Sequence, residues 1–269
     1  MKNGSFSQLA AGAMAGLLTF CPLLSSAQSL SGQTVAGVFS VNGQSRFQEA
    51  GDHVEYKYSA DNWLYGDAAT GQLKLDAYSG INNGNKFDDW QASVAYHAVL
   101  TNTGVESQAF ALSFPIRQGS VVAATADPFI YTGVAKLDGK VLVDGKEVWS
   151  TSAKCGSGNG CSFVGADIGY VKTSLGYQFA DYFGSAPLGV LKAGESVAID
   201  YSLSSDARSS GFASAYASVG SFSDSNGFGV TVTVSAVPEP MPTTLFLSGM
   251  MLLAVKSRRQ KSAKSGLAD

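Results

Sequence analysis

From Gln33 to Ala236 apolar and polar residues alternate with a period of two, the spacing that gives a strand one packed face and one solvated face. TVAGVFSV (Thr34 to Val41), HVEYKYSA (His53 to Ala60), QLKLDAY (Gln72 to Tyr78) and ASVAYHAVL (Ala92 to Leu100) read this way, rich in β-branched, aromatic and small residues. In HVEYKY, polar His53, Glu55 and Lys57 interleave with Val54, Tyr56 and Tyr58. Stripes at helical spacing are absent. Two Asp-Gly pairs in KLDGKVLVDGKEVWS, Asp138-Gly139 and Asp144-Gly145, supply the positive φ angles of tight turns and predict a short strand between them. A further turn is predicted at Ala193-Gly194-Glu195, and GFGVTVTVSAV (Gly227 to Val237) reads as a final strand.

The stretch Tyr96 to Ile116 predicts a strand, an Asn-Thr-Gly turn and a partner strand. It resembles secreted β-sandwich modules of the jelly-roll or immunoglobulin-like kind. Many short strands without helices predict an all-β fold, an antiparallel two-sheet sandwich. No fixed-period repeat points to a solenoid or propeller.

Composition then narrows the compartment. Lys2, the apolar run Leu9 to Leu24 and the small residues Ser25-Ser26-Ala27 form a secretory signal peptide with the cut expected between Ala27 and Gln28. Cys21 follows the bulky Phe20, which argues against a lipoprotein signal. Removing residues 1–27 leaves Cys155 and Cys161 in KCGSGNGCSF, a pair expected to form a disulfide in an oxidising compartment. A zinc site is the alternative, but two thiols with only His53 and His97 make a poor ligand set. Residues 28–236 hold 12 Lys and Arg against 19 Asp and Glu, a net charge of −7 with no basic stripe, which excludes nucleic acid as an expected partner.

Catalytic chemistry finds little to work with. No Gly-x-Ser-x-Gly elbow accompanies the two histidines, no phosphate-cradling glycine loop precedes a helix, and neither calcium-binding loop pattern occurs. The expectation is therefore no enzyme and no cofactor, with a structural calcium ion in the turn INNGNKFDDW left open. Asp88, Asp89 and Trp90 in that stretch fit a sugar site, since aromatic faces stack on sugars while carboxylates accept their hydroxyl hydrogens. They fit equally a loop leading into the next strand, which is the plainer reading.

The chain closes on VPEPMPTTLFLSGMMLLAVKSRRQK, Val237 to Lys261. The apolar part, Pro242 to Val255, would rise roughly 21 Å as a helix, short of a hydrocarbon core of about 30 Å. Lys256, Arg258, Arg259 and Lys261 follow at once and would hold that end in the cytoplasm as a stop-transfer cluster. Val237-Pro238-Glu239-Pro240, an oily segment and an arginine-containing basic end together resemble the PEP-CTERM sorting signal of Gram-negative bacteria. The match covers residues 237–269; the added Pro242 and the trailing KSAKSGLAD depart from it. The resemblance implies exosortase at the inner membrane as a partner, transient membrane insertion, cleavage near Pro238 to Pro240 and delivery to the cell surface or beyond. It further implies an exopolysaccharide- or biofilm-associated matrix protein. Three segments are expected: signal peptide 1–27, β-sandwich body 28–236 and sorting tail 237–269. A carbohydrate-binding module using Trp63, Trp90 and Trp149 is the competing reading, and a matrix-acting hydrolase a weaker third.

Overall fold

The structure is a computed structural model that describes residues 28–80, 88–125, 127, 131–220 and the backbone of 233–237. In chain order the strands are β1 (Gln28–Val41), β2 (Gln44–Gly51), β3 (His53–Ser59), β4 (Asn62–Asp67), β5 (Gln72–Ser79) and β6 (Asp88–Asn102). Then come β7 (Gln108–Ile116), β8 (Gly119–Thr125), β9 (Gly133–Val143), β10 (Lys146–Gly156), β11 (Gly160–Gly165) and β12 (Val171–Lys172). The last are β13 (Gly176–Phe179), β14 (Tyr182–Leu191), β15 (Ser196–Ser209), β16 (Ala213–Val219) and β17 (Thr233–Val237). No helix occurs among the described residues.

All pairings are antiparallel. A first sheet runs β11-β10-β9-β15-β6-β1-β2, a second runs β12-β13-β8-β16-β5-β4-β3, and a small one runs β14-β7-β17. The first sheet forms one layer; the other two lie against its inner face, with β5 over β6 and β15, and β16 over β15 and β9. Alternation explains the layering: along β6, Ala92, Val94, Tyr96, Ala98 and Leu100 are buried while the residues between them are only half-covered.

A single two-stranded ribbon joins the small sheet to the second one. β7 pairs with β14 as far as Ile116 opposite Tyr182, and β8 resumes with β13 at Gly119 opposite Phe179, in unchanged register. At the break, the Asp181 carboxylate accepts hydrogen bonds from Arg117 Nη1 at 2.9 Å and the Gln118 backbone N–H at 2.7 Å. The corner is tight because β16 passes beside it: a Cβ on Gly119 would collide with the Ser218 carbonyl oxygen and the Phe179 ring.

The turn expectations divide. Asp144-Gly145, with φ of 49° and 76°, makes the tight reversal between β9 and β10, and Asn42-Gly43, with 53° and 72°, makes the one between β1 and β2. Asp138-Gly139 does not turn. It lies inside β9, hydrogen-bonded on both sides, with Asp138 in an ion pair with Lys136 at 2.7 Å. Gly139 is there for space, since a Cβ would stand 3.2 Å from Leu203 and 3.4 Å from Trp149.

The expected hairpin from Tyr96 to Ile116 is also corrected. β6 pairs with β1 and β15, whereas β7 pairs with β14 and β17, so the Asn-Thr-Gly stretch carries the chain from one layer to the other. Asn102, fully buried, organises that crossing: its Nδ2 donates to the carbonyls of Glu106 and Leu191, both at 2.9 Å. Its carboxamide oxygen accepts the Gly104 N–H. The turn at Ala193-Gly194-Glu195 is likewise a crossing, from β14 to β15. Of the expected final strand, residues 227–232 lie outside the described residues, and Thr233–Val237 pairs with β7.

Gly119→Ala is expected to destabilise the protein by about 1–3 kcal/mol through overpacking. Gly51→Ala, where a Cβ meets nothing within 4 Å, should change stability by no more than ~0.5 kcal/mol. Urea unfolding of both variants measures the difference; equal effects would contradict the corner as described.

Candidate functional site

Asp88, Asp89 and Trp90 open β6, and a strand sends successive side chains to opposite faces. The two carboxylates therefore do not act as a pair. Asp89 shares the outer face of the first sheet with Asp206 and Arg208: Arg208 Nε lies 3.3 Å from Asp89, and Arg208 grips Asp206 through Nε and Nη2 at 2.9 and 2.7 Å. Gln91 Nε2 donates to Asp89 at 3.3 Å. Burial and then the nearby Asp206 raise the Asp89 carboxyl above the usual carboxylate range, against the lowering pull of Arg208 and Gln91.

Trp90 takes the other face. Its ring sits 4.9 Å from Tyr58 and 5.9 Å from Phe39, centroid to centroid, at the mouth between the layers. Phe39 is fully buried and packs on Tyr56 at 5.1 Å, which in turn stacks on Phe47 at 4.9 Å. The result is a five-ring cluster with a buried floor and one outer ring, Tyr58, that is 57% exposed. The planes of Tyr58 and Trp90 are inclined by 58°, so they form an angled notch rather than a flat platform. Of the other two tryptophans, Trp63 is buried and Trp149 packs edge-on to Phe114 at 4.8 Å against the small sheet.

A second group went unnoticed in the sequence. KLDAY sits on β5, near the centre of the second sheet, with Lys74 and Asp76 on the face turned away from the first sheet, and each is only 5% exposed. Asp76 stands in register with Trp63 on one side and Ser218 on the other. Tyr216 Oη donates to Asp76 Oδ2 at 3.1 Å, while Oδ1 has no hydrogen-bond partner among the described residues. Burial drives the Asp76 carboxyl up to about 8; the Tyr216 hydrogen bond opposes this, Asp61 adds to it, and the Trp63 indole opposes it. Lys74 Nζ lies 5.4 Å from the centre of the Tyr65 ring, a cation–π contact. The only sequence signal was a pair of charges in a strand with apolar neighbours on both sides.

The cysteines meet as expected. Cys155 and Cys161 face each other across β10 and β11 and form a disulfide, with Cα atoms 4.1 Å apart. The loop they close borders an open hollow of about 330 Å³, with Ser157, Lys172, Thr173 and Ser174 among its polar lining. His97 Nδ1 contacts Asp200 at 2.7 Å on the solvated face of the first sheet, and His53 lies 3.5 Å from Glu55. Among the described residues no cluster of three or more His, Cys, Asp or Glu could hold a metal ion. Residues 81–87 of the expected turn, the Ala27 side of the expected cut and the tail beyond Val237 lie outside the described residues; Gln28 opens β1 and Val237 closes β17.

No family model matches the chain, and no curated protein does. Among solved structures it is similar to a GH31 α-xylosidase from Xanthomonas citri, with 11% identity and a TM-score of 0.21. That match spans 71% of this chain but only 18% of the enzyme.

The Asp76 environment has a measurable consequence. Its folded pKa of about 8 lies above the roughly 3.9 of an unfolded aspartate, so in between the folded state keeps a proton that the unfolded chain releases. Its contribution to stability is fully present below about pH 4 and is lost as pH rises through about 8, at up to ~1.4 kcal/mol per pH unit. Asp76→Asn should flatten the fall in Tm between pH 5 and pH 8; parallel profiles for the two proteins would contradict the assignment.

Proposed function

We propose that the chain is an exported, non-enzymatic protein of the cell surface or extracellular matrix, sorted through its C-terminal tail. The observation that carries this reading is Pro238-Glu239-Pro240 followed by an apolar run and the basic cluster Lys256, Arg258, Arg259 and Lys261. Alternating prolines keep a segment extended and out of any strand ladder, the form a membrane protease can grip. Exosortase is the partner that this signal calls for, and exopolysaccharide is the neighbour expected at the destination. The antiparallel body suits the role: it is rich in small hydroxyl side chains, acidic and carries a disulfide across the β10–β11 hairpin.

A second reading, carbohydrate binding, is favoured by the notch between Tyr58 and Trp90. An exposed ring backed by the buried Phe39 and the half-buried Trp90 offers an apolar face to a sugar at little cost in side-chain entropy. The two readings are compatible in a matrix protein.

Replacing Pro238 and Pro240 with Ala should leave the tail attached and shift the protein from the surface to the membrane fraction of its host. Unchanged fractionation would sink the sorting role. Retention on polysaccharide isolated from the same cells should fall at least several-fold in Tyr58→Ala and Trp90→Ala and persist in His97→Ala. Equal retention of all three variants would remove the carbohydrate reading while leaving the sorting role standing.

A further inference from the structure

Both long apolar runs of the chain join the sandwich at the same end. The run Leu9 to Leu24 leads into Gln28, which pairs with Asn102 at the close of β6. The run Pro242 to Val255 follows Val237, which pairs with Ala109 at the start of β7. Asn102 ties these places together. Its side chain donates to the Glu106 and Leu191 carbonyls, its N–H donates to the Glu195 carbonyl at 2.9 Å, and its own carbonyl accepts the Gly194 N–H at 2.8 Å. Residues 103–107, the turn at 192–195 and both exits therefore form one end of the body. Neither exit carries a long linker. Pro242 is five residues beyond Val237 and Leu24 is four residues before Gln28, spans of at most about 18 Å and 14 Å when fully extended.

The chemistry of this end differs from that of the body as a whole. Val105 is 94% exposed, and Val190, opposite Ala109, is 52% exposed. Such apolar groups gain by leaving water. The Asp144-Gly145 turn lies here too, since the Asp144 N–H donates to Ala198, near the start of β15. Together the loops and turns of this end set Glu106, Asp144 and Glu195 against Lys146 and Lys192, three carboxylates against two lysines and a net of −1 in a body of net −7. The opposite end holds the aromatic notch. Trp90 pairs with Val41 beside the Asn42-Gly43 turn, twelve residues along β6 from Asn102. At the rise of a strand, that separation is roughly 40 Å.

We propose that, until its tail is removed, the sandwich stands end-on against the bilayer, with residues 103–107 and the turn at 192–195 on the lipid headgroups and the Tyr58–Trp90 notch at the far end. This orientation presupposes the sorting role of the tail and adds to it the surface that meets the membrane. The short link between Val237 and Pro242 holds that end close to the lipid, and until the cut after Ala27 the N-terminal run holds the same end a second time. Anionic headgroups repel a body of net −7. Standing on its nearly neutral end keeps most of that charge beyond the screening length of about 8 Å at physiological ionic strength. The notch then faces away from the bilayer, toward any polysaccharide outside.

The test uses the mature chain with its tail, residues 28–269, in vesicles of phosphatidylethanolamine and phosphatidylglycerol. Cys155 and Cys161 are joined, so one added cysteine takes a fluorescent label without competition. The labelled variants are Val105→Cys and Ala193→Cys at the near end, Gln44→Cys at the far end and Ser248→Cys in the apolar run. Val105, Ala193 and Gln44 are all exposed, and these substitutions should leave the Tm within a few degrees. Nitroxides on the lipid headgroups should quench the labels of V105C and A193C at least several-fold more than that of Q44C, while nitroxides on the acyl chains quench that of S248C. A spacer of about 20 Gly and Ser residues between Val237 and Pro238, with an average reach of roughly 25 Å, should cut the near-end quenching several-fold and leave S248C unchanged. Equal quenching of Q44C and V105C, or quenching of V105C that ignores the spacer, would overturn the end-on contact while leaving the inserted tail standing. An unquenched S248C would remove the membrane role of the tail, and this proposal with it.

Discussion

The distance between the two layers is set by small side chains, and the placing of every larger group follows from it. Where the first sheet faces the second, β6 offers Ala92 and Val94, and β4 passes close enough that a Cβ on Gly66 would stand 2.9 Å from Val94. Gly37 on β1 gives way to Leu64 in the same manner, its added Cβ falling 2.8 Å from that side chain. Ala77, Ala215 and Ala217 line the facing strands, all buried. The rings gather in three groups, Phe39, Tyr56, Tyr58 and Trp90 at one mouth, Phe163, Tyr170 and Tyr177 near β11, and Phe114 with Tyr201 and Trp149 beneath the small sheet, while Tyr96 is buried on the inner face of β6 itself.

That division connects packing to the chemistry available. The rings at the first mouth end in an exposed tyrosine, a surface suited to stacking, whereas Asp89 is tied to Arg208 on the opposite face and does not converge with it. Among the described carboxyls Asp76 is shifted furthest, yet it is almost sealed, held by Tyr216 beside Trp63. A neutral acid in that position is a hydrogen-bonding element of the sheet, and its burial keeps it from exchanging protons readily with a bulky substrate. Asn102 does comparable work at the layer crossing, where one buried carboxamide bonds two carbonyls and an N–H.

The strands were legible because each of their periodic runs has one packed face, and period two survives whatever sheet the strand joins. His53–Ser59, Gln72–Ser79 and the core of β6 lie where the alternation put them. Turn residues were a poorer guide. Asp138-Gly139 has the composition of a reversal, but the bulk of Leu203 and Trp149 across the sheet claims the glycine for packing. Asn-Thr-Gly after β6 does redirect the chain, though only the partners of β7, far away in sequence, decide that it changes layers. Of the proposed sugar contacts, Trp90 joins the ring cluster, and strand alternation puts Asp88 on its face of the sheet and Asp89 on the other. Asp76 escaped notice since nothing in KLDAY distinguishes a solvated charge from one that Trp63 and Tyr216 flank.

The body and the tail thus differ in kind: an antiparallel sandwich of facing sheets, and a proline-led apolar segment short for a membrane span. In the proposed sorting role they part company after export. Intact-mass analysis of the C-terminus in membrane, surface and culture fractions of the native host tests this most directly. The account predicts a surface or culture form ending near Pro240, without the basic cluster. A chain that runs through Asp269 in every fraction would contradict it and make the protein an anchored ectodomain.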